Sequence, residues 1–328
     1  MALNVKNILK FLEIVGCLKT LCRTGWVQRG IANAETVGDH SLGMALMALQ
    51  KEGELKSIGV DVKRVIEMCL LHDVGECIIG DIVPLEHQVG KIKVSGEEKK
   101  IRELEAINYL AATYDFYKLK NLFVEYEEQK TLEAIIVKHL DKLDMLLQAY
   151  EYILEYDNCS LNEFMEFNEK DIRLIIFKED LEEIKRRQYY GKMQKNEFID
   201  LQLQLRKLKS IKKEYECEKC ARCSVASHCF RCGIIAIYLE DELEKMGIDV
   251  FKIVKHLLVK DIDRKQVDNL RLENFEISYD EVSFIKDIDA FEGICQLKDS
   301  LEALDWNGKE VSIYRDLIQN DLILKLID

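Results

Sequence analysis

Proline is nearly absent: Pro84 stands alone in 328 residues, beside only 16 glycines. So few turn and break residues exclude a turn-dense sandwich or barrel and favour long helices. Long apolar runs are missing too. Even a long one without a charge, Cys232 to Leu239, falls far short of the roughly 20 residues that span a bilayer. No leader is visible, because Phe11 to Leu18 contains Glu13 and runs into Lys19 and Arg23, as an amphipathic helix does. Basic charge is in deficit: 47 Lys and Arg against 60 Asp and Glu leave −13. Such a surface repels phosphate backbones and excludes non-specific binding of a nucleic-acid polymer, yet local cations or a metal can still admit a small anion. The 11 cysteines form an odd count without a leader, which fits reduced thiols and a cytoplasmic location.

What is present is a globular balance, 48% hydrophobic and 33% charged, in a length that suits two domains at about 150 residues each. Helical spacing dominates. Ile8, Phe11, Leu12, Val15 and Leu18 form one stripe. Thr36 opens a second helix with Asp39 three residues on, an acidic variant of the capping box, ahead of Leu42, Ala45, Leu46 and Leu49. Further helices are expected over 61–73, 96–114 and 131–155, and no hairpin pattern stands out. The class is all-α. The mixed, charged stretch 157–200, from Asp157-Asn158-Cys159 to Lys185-Arg186-Arg187, is where a first domain ends, giving domains at 1–190 and 191–328.

Shifting the chain by 188 residues lays Ser224 to His228 on Thr36 to His40, Gly247-Ile248-Asp249-Val250 on Gly59-Val60-Asp61-Val62, and Lys260-Asp261 on His72-Asp73 without a gap. At another offset Ile285 to Asp289 falls on Val137 to Asp141, and Gln296 on Gln148. An internal duplication is the expectation, against the plainer reading that any two amphipathic helices can be aligned.

The chemistry-bearing set is His40, His72-Asp73 and Asp141. Two imidazoles and two carboxylates make a mixed nitrogen–oxygen shell for one divalent ion, Mn²⁺, Co²⁺ or similar, which would repay the desolvation of both carboxylates. The competing reading is a hydrogen-bonded core histidine and a chance His-Asp neighbour. Glu76, three and four residues after that pair, and Asp81 add the acid–base carboxylates that phosphate-ester hydrolysis requires; Pro84 then ends the segment.

These residues, with Arg23-Thr24-Gly25-Trp26-Val27-x-Arg29-Gly30, Glu35-Thr36-Val37-x-Asp39-His40, Leu71-His72-Asp73-x-x-Glu76-x-x-x-Gly80-Asp81-Ile82 and Val137-Lys138-x-Leu140-Asp141-Lys142, resemble the HD-domain metal-dependent phosphohydrolases. Within them they resemble the HD-domain-containing protein 2 and YfbR-like 5′-deoxynucleotidases, over roughly residues 5–170. The resemblance implies an HD helical bundle and a phosphoric monoester hydrolase that turns deoxyribonucleoside 5′-monophosphates into deoxynucleoside and phosphate. It implies His40, His72, Asp73 and Asp141 as metal ligands, Glu76 and Asp81 at the reacting group, and Trp26 where a ribose 2′-hydroxyl would sit. Arg23 or Arg29 would hold the phosphate, and Glu125 matches a substrate-contacting stretch more loosely. The readings without the family are a core tryptophan and surface arginines. Gly38 and Ala34 depart from relatives that often carry Ser and Pro.

In the second half Lys260 takes the place of His72, Arg264 that of Glu76 and Asn269 that of Asp81. An ammonium cannot coordinate while protonated, so this copy is expected to be degenerate and inactive, and the arginine–tryptophan string finds no counterpart before His228. The family's pairing into dimers implies either a homodimer or an intramolecular pseudo-dimer of the two halves. Cys217-x-x-Cys220 and Cys229-x-x-Cys232 offer a structural zinc, against ordinary buried or surface thiols. Two alternatives to deoxynucleotidase action remain: hydrolysis of another nucleotide, and a non-catalytic scaffold or regulatory role.

Overall fold

The computed structural model describes residues 5–83, 94–156, 161, 164, 174–190, 195–215, 223–273, 275–301 and 308–327. Pro84, Asp157-Asn158-Cys159, Cys217 and Cys220 lie outside these residues. Among the described residues the chain is helical, its only extended pairings being the isolated antiparallel bridges Cys22–Thr36 and Lys212–Ser224. No described helix is long and apolar enough to cross a membrane.

The first elements are α1 (Val5–Gly16), α2 (Thr24–Val27), α3 (Val37–Gln50), α4 (Glu52–Ser57), α5 (Val62–Leu71), α6 (Glu76–Ile79), α7 (Gly96–Thr113), α8 (Tyr117–Glu128) and α9 (Leu132–Glu155). Two more, α10 (Lys178–Tyr190) and α11 (Glu197–Leu205), lead to α12 (Val225–Tyr238), α13 (Glu240–Lys245), α14 (Val250–Val259), α15 (Arg264–Leu270), α16 (Tyr279–Ser300), α17 (Lys309–Arg315) and α18 (Asp321–Leu324).

Local chemistry sets these limits. The Thr36 hydroxyl accepts from Asp39 N while the Asp39 carboxylate accepts from Thr36 N, closing both arms of the capping box at α3. Asp61 caps α5 after Gly59, whose φ of +82° suits a residue without Cβ. One expectation changes: the helix over 61–73 stops at Leu71. Val74 N then reaches back only to Leu71 O and Glu76 N to Asp73 O, a tightened turn that leaves Asp73 outside the helix and starts α6 at Glu76.

α3 is buried on every side from Val37 to Leu49, as is α12 from Val225 to Ile237, which marks both as central helices. α3 packs on α5 and α9, and α12 on α14 and α16; the two central helices also pack on each other, α3 touching α14 and α12 touching α5 in return. Local details recur along with the packing. Ser224 caps α12, Asp249 caps α14, and Gly247 takes φ +76°. Where the halves meet, Ser224 and Ser227 hydroxyls donate to Asp39 Oδ1, and Thr36 Oγ1 lies 3.2 Å from Ser227 Oγ. Gly38 faces this seam: a Cβ there would stand 2.9 Å from Phe230, which accounts for the missing side chain. The ends cross over. α1 packs on α16 and α12, whereas α11, beyond residue 190, packs on α3 and α10.

Candidate metal and phosphate site

The site lies at the carboxyl end of α5, facing the middle of α9. α3 contributes His40, fully buried, whose Nε2 lies 3.4 Å from Asp141 Oδ1 and 4.0 Å from Asp73 Oδ2. His72 Nε2 lies 3.1 Å from Asp73 Oδ2, and the imidazoles meet edge to face at 5.6 Å. The four residues singled out from the sequence therefore converge. Both outer ring nitrogens are committed elsewhere: His72 Nδ1 is 2.9 Å from Cys69 O, and His40 Nδ1 is 2.7 Å from Asp144 Oδ2. The inner atoms, His40 Nε2 and His72 Nε2, are buried and have no hydrogen-bond partner. Two orphaned imidazole lone pairs beside two carboxylates fit a divalent cation, and the Nδ1 bonds fix the tautomers it requires. Burial opposes the charge on Asp73, but His72 and Arg23 hold its carboxyl well below the usual range.

A cavity of about 610 Å³ opens from this centre. Arg23 lines it, with Nη1 3.1 Å from Asp73 Oδ2. Glu76 is buried at the start of α6, with one carboxylate oxygen unpartnered and the other 3.5 Å from Lys99 Nζ. Burial, then the charges of Asp73 and Asp81, push the Glu76 carboxyl well up, with Lys99 opposing. Asp81 accepts Thr24 N at 2.5 Å and so ties its loop to the start of α2. Trp26 is 2% exposed, donates Nε1–H to Glu35 Oε1 at 3.0 Å and packs against Tyr152 and Phe164. Arg29 stacks its guanidinium over Phe164 and donates to Gly25 O.

One expected residue stands apart. Glu125 pairs with Arg64 Nε at 2.7 Å and accepts the Thr131 hydroxyl at 2.6 Å, so it is spent on joining α5 to α9. From its stretch, Tyr126 and Glu127 line the cavity instead. Tyr126 lies between Lys138 Nζ, at 2.8 Å, and Asp141 Oδ2, at 3.3 Å. Lys99, Lys138 and Lys142 also line the cavity and were not foreseen. Lys138 and Lys142 flank Asp141 in sequence, which was their available signal; Lys99 has none, since α7 is brought over the site only by tertiary packing.

A similar constellation recurs near α12. His228 Nε2 lies 2.6 Å from Asp289 Oδ1 and 3.0 Å from Lys260 Nζ, and Lys260 Nζ also reaches Asp261 at 2.7 Å and Asp289 at 2.5 Å. His228 Nδ1 meets Glu292, as His40 Nδ1 meets Asp144. Lys213 contacts Asp261 at 2.9 Å as Arg23 contacts Asp73. The arginine of the first string therefore has a counterpart after all, unseen earlier because the offset there is 190 rather than 188 residues. Cys229 and Cys232 are buried on α12; burial pushes the Cys229 thiol up to about 12, while the Cys232 Sγ lies 3.6 Å from His228 Nε2.

The family model described as HD domain matches residues 15–181. The chain is 41% identical over 149 residues to 5′-deoxynucleotidase HDDC2 of Danio rerio, covering 44% of this chain and 70% of that one. The same-named protein of Homo sapiens is 39% identical over 165 residues, covering 49% and 76%. 5′-Deoxynucleotidase YGK1 of Saccharomyces cerevisiae is 34% identical over 156 residues, covering 45% and 68%. A solved structure of a conserved hypothetical protein from Pyrococcus furiosus is 37% identical and covers 54% of this chain and 98% of its own, with a TM-score of 0.45. With the matching model spanning half the sequence, and these relatives aligned over most of their own length, the chain belongs to the HD domain family.

Proposed function

We propose that this protein is a metal-dependent 5′-deoxynucleotidase, hydrolysing deoxyribonucleoside 5′-monophosphates to deoxynucleoside and phosphate. The observation that carries this reading is the pair of orphaned imidazole nitrogens facing Asp73 and Asp141, in a chain whose relatives bear that name. His40, His72, Asp73 and Asp141 are the metal ligands. The divalent ion supplies Lewis acidity toward the phosphoryl oxygen and makes water nucleophilic at neutral pH. The cavity wall carries six basic and six acidic side chains, so a divalent cation tips it toward a phosphate dianion although the chain as a whole is at −13.

Arg23, already anchored on Asp73, presents its fork to the phosphate, with Lys99 and Lys142 on the same wall. Glu76, whose carboxyl is pushed up by burial and acidic neighbours, is the group that holds a proton for the departing 5′-oxygen. Asp81 acts by fixing α2, and with it Trp26. The indole nitrogen is occupied by Glu35, so this wall offers nothing to a 2′-hydroxyl, and a ribonucleotide would bury that group unsatisfied. Free thiols among the described cysteines suit a reducing cytosol. Residues 191–328 are read as a degenerate, inactive HD-like copy that takes a partner's place within one chain, supported by the reciprocal packing of α3 and α12 and by Lys260.

The test is phosphate release from deoxy- and ribonucleoside mono- and triphosphates, with and without Mn²⁺ or Co²⁺, for the parent and Asp73→Asn. Release from deoxynucleoside monophosphates that needs the metal and falls by at least about a hundredfold in Asp73→Asn is expected, since a lost ligand costs more than the 10–100-fold typical of a supporting residue. No release from any monophosphate would overturn the reading, and faster release from triphosphates would move it to another nucleotide class.

A further inference from the structure

We propose that Arg206 and Lys209, from the segment that leads into the second half, are positioning residues for the metal centre of the first. The proposal rests on reading His40 as a ligand, as above. His40 offers Nε2 only while Nδ1–H is held by Asp144 Oδ2, at 2.7 Å. Asp144 is fully buried, and nothing on its own helix fixes its direction. Its other oxygen is gripped by Arg206 Nη1, and Lys209 Nζ stands 3.5 Å away. Arg206 Nη2 is tied to Gln148 Oε1 at 2.5 Å, one turn along α9, so the guanidinium cannot swing without breaking a second bond. Lys209 extends the hold to the substrate wall: its Nζ lies 2.5 Å from Glu35 Oε2, and Glu35 receives the Trp26 indole. A four-residue turn thus clamps both the ligand's support and the tryptophan's support. Such outer partners orient ligands and tune metal affinity.

The seam carries the same device a second time, with the halves exchanged. Lys19, from the first half, reaches Glu292 and, at 2.5 Å, Gln296 of the second half, as Lys209 reaches Asp144 and Gln148. The guanidinium arrives by a different route. Near Glu292 it comes from Arg231 on α12, whose counterpart on α3 is Gly43; a Cβ at Gly43 would stand 2.4 Å from Asp144 Oδ1. Gly16, the counterpart of Arg206, would place a Cβ 2.7 Å from Arg231 Nη1. Each carboxylate therefore has one arginine beneath it and a glycine where the other arginine would collide. Only the first of the two arrangements stands behind a histidine with a free Nε2, so Lys19 supplies a control: a lysine of the same seam, more buried than Lys209, that holds Glu292 and Gln296 and not the Asp144 behind His40.

Calorimetric titration of the full-length, chelator-treated protein with Mn²⁺ tests this, for the parent, Lys209→Met, Arg206→Lys and Lys19→Met, with kcat and KM measured alongside. Lys209→Met and Arg206→Lys are expected to weaken Mn²⁺ binding by about tenfold or more and to lower kcat. Lys19→Met, with a comparable loss of thermal stability, keeps Mn²⁺ affinity within about twofold of the parent. Parent-like Mn²⁺ binding by Lys209→Met and Arg206→Lys overturns the proposal, as does equal weakening by Lys19→Met, which would make the effect one of folding. Because the titration uses no substrate, Mn²⁺ binding that falls as expected in a protein inert toward deoxynucleotides would retire the deoxynucleotidase reading and leave the positioning role standing.

Discussion

Trp26 turns its ring toward the cavity and its nitrogen toward the protein, and that division of labour is what makes it a discriminator. With Nε1–H committed to Glu35 at 3.0 Å and the ring backed by Tyr152 and Phe164, the wall is rigid as well as apolar. Trp26→Ala opens room for a hydroxyl and its water. The preference for deoxy- over ribonucleoside monophosphates, taken as a ratio of kcat/KM, should fall by about tenfold, the equivalent of leaving one buried hydroxyl unsatisfied. Rates on both substrates falling together with an unchanged ratio would remove the role. His40, His72, Asp73 and Asp141 were legible in the sequence because their types and order carry the chemistry. Asp144 was not read, although it interrupts the stripe of Leu140, Leu143 and Leu147 and so announces a buried acid. Arg206 and Lys209 had no such signal, because the partner that explains them lies 62 and 65 residues away.

Among the elements, helices were the easy part. The periodic stripes and the Thr36 cap placed α7, α9 and the start of α3 within a residue, and the first stripe marked α1 although Leu18 falls in the tighter turn beyond Gly16, while the break after Leu71 escaped because its cause is a turn, not a breaker residue. α7 was read only as a helix; its role is to cover the cavity with the pair Lys99 and Glu103, one turn apart and 3.4 Å from each other. Burial, with Asp73 and Glu127 adding to it and Lys99 opposing, raises the Glu103 carboxyl from 4.5 to about 7. The unfolded chain releases that proton near the lower value and the folded chain near the higher, so stability falls as pH rises between them. Glu103→Gln removes this dependence. In chelator-treated protein the variant should match the parent below pH ~4.5 and exceed it above pH ~7 by on the order of 1–3 kcal/mol, read as a gap in Tm that opens with pH. A gap of constant size at both ends would mean that Glu103 is not the titrating group.

At the scale of the whole molecule, Lys260 is the substitution that sets the second centre apart from the first as a place for a cation. The His228 support by Glu292, the Lys213 contact with Asp261 and the seam lysines all repeat the first half, but the Lys260 ammonium sits within 3.0 Å of His228, Asp261 and Asp289. That fixed charge already satisfies the carboxylates a metal would otherwise balance, so the second centre is expected to refuse one. The parent chain should therefore bind a single Mn²⁺ in equilibrium dialysis. Lys260→His takes away the ammonium, leaves Asp289 short of a cation and Asp261 with Lys213 alone, as Asp73 has Arg23, and supplies the missing imidazole, so a second ion should enter. It should bind more weakly than the first, because the Asp289 side chain is 39% exposed where that of Asp141 is 14% and water competes for the coordination. Phosphate release should not rise with it, since Arg264 stands where the first half has Glu76 and a guanidinium does not give up its proton to a leaving oxygen. Two ions in the parent, or one in Lys260→His, would show that something other than this ammonium decides which half carries the metal.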